Sequence, residues 1–229
     1  MSQPGSDGSA LEASQAAPGP SWITGGSIVR GVWRLALPMT VTALLDDLLS
    51  IVDMIFVGSL GPTAIAGVAA CGVLLSIIYN LGVGVTIGCT ALVAQAVGAG
   101  SRERAEEAAA QSLLMVVVLS ALVAALGIPL APALLRALGA QEPVVAAGTP
   151  YFQVSAGGSL VMLLSITFAA AVRGAGDAIT PLKVAAVVNL INTVLDPVLI
   201  FGWLGMPALG VVGSAWASVA ARLVGCCML

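Results

Sequence analysis

The chain is 229 residues long, 59% hydrophobic and only 8% charged, with a mean hydropathy of +1.08. A soluble domain carries about a quarter of its residues as charges to hydrate its surface, so this composition excludes one and puts the chain in a bilayer. The sequence has no histidine, which removes the commonest neutral-pH acid/base and metal ligand; its net charge of -3 says nothing useful about partners, and no nucleic-acid partner is expected.

Residues 1–26 are rich in Ser, Gly, Pro, Ala and Gln, with Asp7 and Glu12 as their only charges, and read as a disordered tail. They lack the basic start and apolar core of a cleaved signal peptide. The first long apolar stretch, 35–57, contains Asp46, Asp47 and Asp53 and is long enough to cross the hydrocarbon as a helix. A turn at 58–62 leads to a second helix over 64–94, and a polar loop at 98–107 carries Arg102 and Arg104. A third helix is predicted over 109–130, then a loop holding Pro132, Arg136, Glu142 and Pro143, then a fourth over 148–172. The Gly-, Asp- and Pro-containing stretch 173–181 is a turn. A fifth helix over 183–201, a Gly/Pro-rich turn at 202–210 and a sixth helix over 211–229 complete the chain. The fold class is therefore all-α: a polytopic membrane protein with a 27–229 bundle of six transmembrane helices. A β-barrel would need segments of about ten residues alternating polar and apolar, and these runs are uniformly apolar over twice that length. The chain stops on the last residues of the sixth helix, which reads as a fragment or half-molecule.

Orientation follows from the basic residues. With the N-terminus inside, Arg30, Arg34, Arg102, Arg104, Arg173, Lys183 and Arg222 lie on the inner side, and Arg136 alone falls outside. That obeys the positive-inside rule, placing both termini in the cytoplasm and the chain in the inner (plasma) membrane.

Intramembrane acids are costly and mark function or a buried partner. Asp53 and Asp196 each lie a few residues before an outer turn, so they fall at similar depth. Two acids sharing a low-dielectric site cannot both ionise cheaply, and such a pair can take up a proton or a small cation; the bland alternative is that they are wetted at the headgroups. Asn189, Asn192 and Asp196 recur at three and four residues, on one helical face. Pro197 has no amide hydrogen for the carbonyl of Thr193, freeing that oxygen beside the acid. An interrupted helix offering carboxylate and carbonyl oxygens is a transporter cation site; the alternative is a kinked helix whose polar face packs on a neighbour. Asp46 and Asp47 either line an aqueous cavity along the first helix, pair with an arginine, or stay protonated. Tyr79 and Asn80, in the middle of the second helix, face a substrate path or make packing hydrogen bonds.

Other features read as structure. Cys71, Cys89, Cys226 and Cys227 lie in apolar runs without metal-ligand spacing and act as small packing residues. Gly82, Gly84 and Gly88, and the Gly157-Gly158 pair, fit close helix packing, with a flexible point at the latter pair as the minor alternative. No nucleophile–base pair or metal cluster is visible, so the chain reads as no enzyme, with no cofactor.

Taken together, these stretches resemble the multidrug and toxic compound extrusion (MATE) transporters. The likeness runs through Leu35-Ala-Leu-Pro38, Val52-Asp-Met-Ile-Phe-Val-Gly58, Leu60-Gly61, Ala64-Ile-Ala66, Leu92-Val-Ala-Gln-Ala-Val-Gly-Ala99, Arg173-Gly-Ala-Gly-Asp177, Asn189 through Asp196-Pro197, and Gly210-Val-Val-Gly-Ser-Ala215. The resemblance implies secondary active export of organic cations or other amphipathic compounds in exchange for protons or sodium ions. It implies coupling-ion roles for Asp53, Asn192 and Asp196, with Ser214 completing the site, a composition most similar to the DNA-damage-inducible bacterial and archaeal branch. It also implies that the chain corresponds to the first of two six-helix halves and partners a second. The competing expectations are a transport-incompetent half or fragment, and a lipid-precursor flippase of the same superfamily, which basic rather than acidic intramembrane residues would favour.

Overall fold

The computed structural model describes residues 28–229; the expected tail at 1–26 lies outside the described residues, as do the side chains of Ile28 and Arg30. The described chain is helical throughout: α1 (Ile28–Gly58), α2 (Pro62–Gly98), α3 (Arg102–Ala137), α4 (Glu142–Gly157), α5 (Ser159–Gly174), α6 (Ile179–Phe201) and α7 (Val211–Met228), with a 3-10 turn at Trp203–Gly205 between the last two. Helices suit a bilayer because each satisfies its own backbone groups where water cannot. Among the described residues α2, α3, α6 and α7 are long and apolar enough to cross a membrane, and α4 with α5, bent by 47°, make a fifth span if counted together. The protein is thus an all-α polytopic membrane protein.

The helices begin and end on recognisable signals. Gly61, at φ 105, turns the chain and Pro62 opens α2, where proline's missing amide costs nothing. Asp177 receives the free amides of Ile179 (2.9 Å) and Thr180 (3.0 Å) at the start of α6. Gly202 ends α6 in the left-handed region at φ 75, and the amides of Leu209 and Gly210 return to the carbonyls of Leu199 and Ile200. That tight return lays α7 directly against the end of α6.

Lipid is as apolar as leucine, so helices associate here by close packing of small residues. The α2–α4 crossing sets Gly67 against Gly148, and the thiol of Cys71 donates to the Gly148 carbonyl at 3.3 Å. Cys71, Ile78, Ala131, Leu135, Val145, Phe152 and Ala156 form the core where α2, α3 and α4 meet. Gly174 of α5 abuts the Thr90 carbonyl, and Gly213 of α7 abuts the backbone of Leu199 and Ile200. Of the glycines expected to pack within α2, only Gly82 does so, against Leu163; Gly84 and Gly88 have open space around them.

Two proline expectations change. Helix α3 does not stop near 130 but continues through Pro129 and Pro132 to Ala137. Pro132 leaves the carbonyl of Ile128 without its usual donor, and the side-chain amide of Gln153 from α4 supplies one at 3.1 Å. Similarly, α6 is not interrupted at Pro197 but runs unbroken from Ile179 to Phe201. One lost backbone bond does not unwind a helix flanked by intact turns, and the Thr193 hydroxyl adds a bond to the Asn189 carbonyl at 2.9 Å. The true break lies at Gly158, where two successive glycines weaken the helix and Val219 of α7 fills the place a Cβ would take.

Two stability predictions follow from this packing. Gly213→Ala puts a methyl about 2.5 Å from the Leu199 carbonyl oxygen, so it lowers stability by about 1–3 kcal/mol, read as a fall in melting temperature in detergent, whereas Gly84→Ala, with open space around it inside a helix, does not lower that temperature. Asp177, in the loop outside the spans, is held below the ordinary carboxylate range by the Thr180 hydroxyl and then by the Thr180 and Ile179 amides. A depressed folded-state value means that its stabilisation is present above the unfolded value and disappears as pH falls through the folded one. Asp177→Ala therefore costs about 1 kcal/mol at neutral pH, and the gap from the parent chain closes as melting is repeated below about pH 4.

Candidate functional site

Helix α1 packs chiefly against α6, α7 also packs against α6, and α1 and α7 touch each other. Near the Gly58 end of α1, Phe56 meets Phe201 of α6 edge-on with ring centroids 6.3 Å apart, and Phe201 in turn lies 6.2 Å from Trp203. This aromatic contact helps set the register of α1 on α6. Asp53 precedes Phe56 by three residues and Asp196 precedes Phe201 by five, so the two acids arrive at the same interface.

Their carboxyl groups lie within hydrogen-bonding reach of each other. Asp196 is fully buried and Asp53 partly so. One oxygen of Asp53, both oxygens of Asp196, and both the oxygen and nitrogen of the Asn192 amide are buried without a protein partner. Buried polar atoms are nearly always satisfied, so five orphans at one place demand a chemical reason. Two carboxylates present only acceptors to one another; a proton shared between them, or a small cation bound by them with the Asn192 oxygen, removes the conflict. The residues present therefore suit a monovalent cation or a proton.

The structure brings together three of the four residues implied as the ion site: Asp53, Asp196 and Asn192. Ser214 is buried on α7 beside Gly213 and its contact with α6, but among the described residues no hydrogen bond joins it to either acid. Pro197 is buried directly after Asp196, and Thr193, part-buried, spends its hydroxyl within α6. Asn189 turns to α1 and donates from its amide nitrogen to Asp46 at 3.2 Å. Asp47, next to Asp46, is exposed. Tyr79 and Asn80 are exposed on α2, and the Asn80 amide bonds the Ser76 carbonyl of its own helix at 2.7 Å; neither bonds to the acids.

Sequence reasoning missed Tyr151. From α4 it stands within electrostatic range of both Asp53 and Asp196 and hydrogen-bonds Ser155. A tyrosine inside an apolar span was the available signal, since its hydroxyl must find a partner there. A small cavity of about 240 Å³ between Arg34 and Leu35 and the segment Gly176–Ile179 is separate from this site.

Comparison with known proteins gives a consistent result. Residues 38–198 match the MatE family model. The chain is 31% identical over 193 residues to a protein of Thermotoga maritima named "Probable multidrug resistance protein NorM", covering 84% of this chain and 41% of that protein. It is 30% identical over 197 residues to DNA damage-inducible protein F of Escherichia coli, covering 84% and 41% respectively. A solved outward-facing structure of a multidrug resistance MATE family transporter of the MOP superfamily superposes with a TM-score of 0.83 at 26% identity, over 93% of this chain and 46% of that one. The chain thus spans less than half the length of the relatives it matches.

Tyr151→Phe tests the new site member. Removing the hydroxyl keeps the ring's packing, so membrane expression and melting temperature stay as in the parent, while the response to added sodium ions or protons that Asp53 and Asp196 give is altered. Ion titration of the purified protein by tryptophan fluorescence reads the difference.

Proposed function

The chain belongs to the multidrug and toxic compound extrusion (MatE) family, and on that premise we propose that it works as a secondary active antiporter, exporting organic cations or other amphipathic compounds in exchange for protons or sodium ions. The observation that carries this reading is the Asp53–Asp196 pair with Asn192, buried together without donors. An inward-moving proton or sodium ion entering from outside meets two carboxylates on separate helices. Binding between them neutralises their repulsion and draws α1 onto α6; release inward restores the repulsion and loosens that contact. An ion that changes how α1 sits on α6 has the differential affinity for two states that coupling to a substrate requires.

Ser214 completes the coordination from α7 when that helix settles against α6, and Asp46, Asp47, Tyr79 and Asn80 line the substrate's route. The span of 41% of its relatives supports a second six-helix half as the partner, with the substrate bound between halves and both termini in the cytoplasm. The acid pair with an asparagine on one bundle, together with 30% identity to DNA damage-inducible protein F, supports a place in the DNA-damage-inducible branch.

Inside-out vesicles carrying the protein test this through uptake of a fluorescent organic cation under an imposed proton or sodium gradient. Gradient-driven uptake in the parent, lost in both Asp53→Asn and Asp196→Asn, is the expected outcome, and the gradient that drives it names the ion. Uptake indifferent to both substitutions sinks the mechanism.

A further inference from the structure

A second polar tier lies inward of the acid pair. Asp46 stands seven residues inward of Asp53 on α1, Asn189 seven inward of Asp196 on α6, and Arg222 eight inward of Ser214 on α7. At 1.5 Å per residue, all three fall about 10–12 Å nearer the inner end than their counterparts. Each helix of the ion site thus carries a second polar group two turns down: an acid, an amide and a guanidinium. The Asn189 amide holds Asp46 at 3.2 Å and turns its carboxyl toward α6.

Arg222 occupies an unusual position. It is half-buried, and its charge acts on both Asp46 and Asp53. Yet among the described residues it makes no ion pair within 4.0 Å and no hydrogen bond with either. Its other polar surroundings are Cys226, whose thiol donates to the Val161 carbonyl at 3.4 Å, and beyond it Ser165 of α5, which bonds Cys226. Neither carries a charge that would hold a guanidinium. A fixed structural arginine is commonly locked bidentately to one carboxylate; this one sits at the Asp46 tier, within electrostatic range of Asp53 as well, on a long stem whose head can swing while its base stays on α7.

We propose that Arg222 is a tethered counter-cation that changes partner during the transport cycle, seated on Asp46 while the coupling ion occupies the Asp53–Asp196 pair, and drawn to Asp53 when that ion leaves. It is a positioning residue: it competes with the coupling ion for Asp53, keeps the emptied pair from standing as two bare carboxylates, and so promotes inward release. Asp46 with Asn189 is its resting seat. This inference rests on the ion-site reading above.

The experiment titrates the purified full chain with sodium ions and, separately, with protons, following tryptophan fluorescence. Asp196→Asn identifies the ion that the acid pair binds, because it abolishes that titration. In Arg222→Gln the competitor is gone, and a charge interaction of this kind makes the ion bind about tenfold more tightly. In Asp46→Asn, Arg222 loses its alternative seat and binding weakens; the double variant follows Arg222→Gln; and Arg222→Lys stays near the parent. Unchanged affinity in Arg222→Gln, equal effects of Gln and Lys, or an Asp46→Asn shift toward tighter binding each overturns the proposal. If Arg222→Gln does not fold, the direction of the Asp46→Asn shift decides alone. A parent titration indifferent to Asp196→Asn overturns the ion-site reading and this proposal with it, and is told apart from failure of Arg222 alone by that control.

Discussion

The contact between α1 and α6 that brings Asp53 against Asp196 is the constraint around which the rest of the bundle is arranged. One oxygen of Asp53 and both of Asp196 are buried without a donor from any other described residue, so the two carboxyls meet most cheaply when at least one of them is neutralised. Other features at this interface hold the meeting in register: the Phe56–Phe201–Trp203 contact at one end, the Asn189–Asp46 bond at the other, and the close α6–α7 return beside which Ser214 is buried.

The scaffold opposite it is built differently. Where α2, α3 and α4 cross, glycines, alanines and a cysteine pack with larger apolar side chains, and polar groups are paired there and at the α2–α5 contact: Cys71 to Gly148, Gln153 to the carbonyl that Pro132 leaves bare, and Thr90 to Ala170. By contrast α1, with most of its large apolar side chains exposed, is held mainly through α6. The bend at Gly158 belongs to the fixed part, since Val219 packs into it.

How much of this was readable in advance differs by residue. Asp53 and Asp196 were legible because charge is so rare here that any intramembrane acid stands out, and Asn192 because it shares a helical face with Asp196. Their meeting across two helices was only inferred from similar depth. Tyr151 escaped because nothing local distinguishes it from Tyr79; one faces the acids and the other does not. The prolines were misjudged because their consequence depends on a donor elsewhere: Gln153 lies 25 residues from the carbonyl it rescues. Arg222 entered only as one of the basic residues placed on the inner side, and its electrostatic reach to two acids on another helix was not legible from sequence.

Hydropathy and the scarcity of charge are one-dimensional quantities, and they determined by themselves that the chain is an all-α membrane protein, where its apolar helices run, and which acids within them require explanation. Only the tertiary structure decided which polar groups share a site, which prolines break a helix and which glycines are in contact. Those outcomes depend on partners brought from distant helices, and with lipid offering no hydrogen bonds, each buried polar atom is settled by whatever the neighbouring helix happens to present.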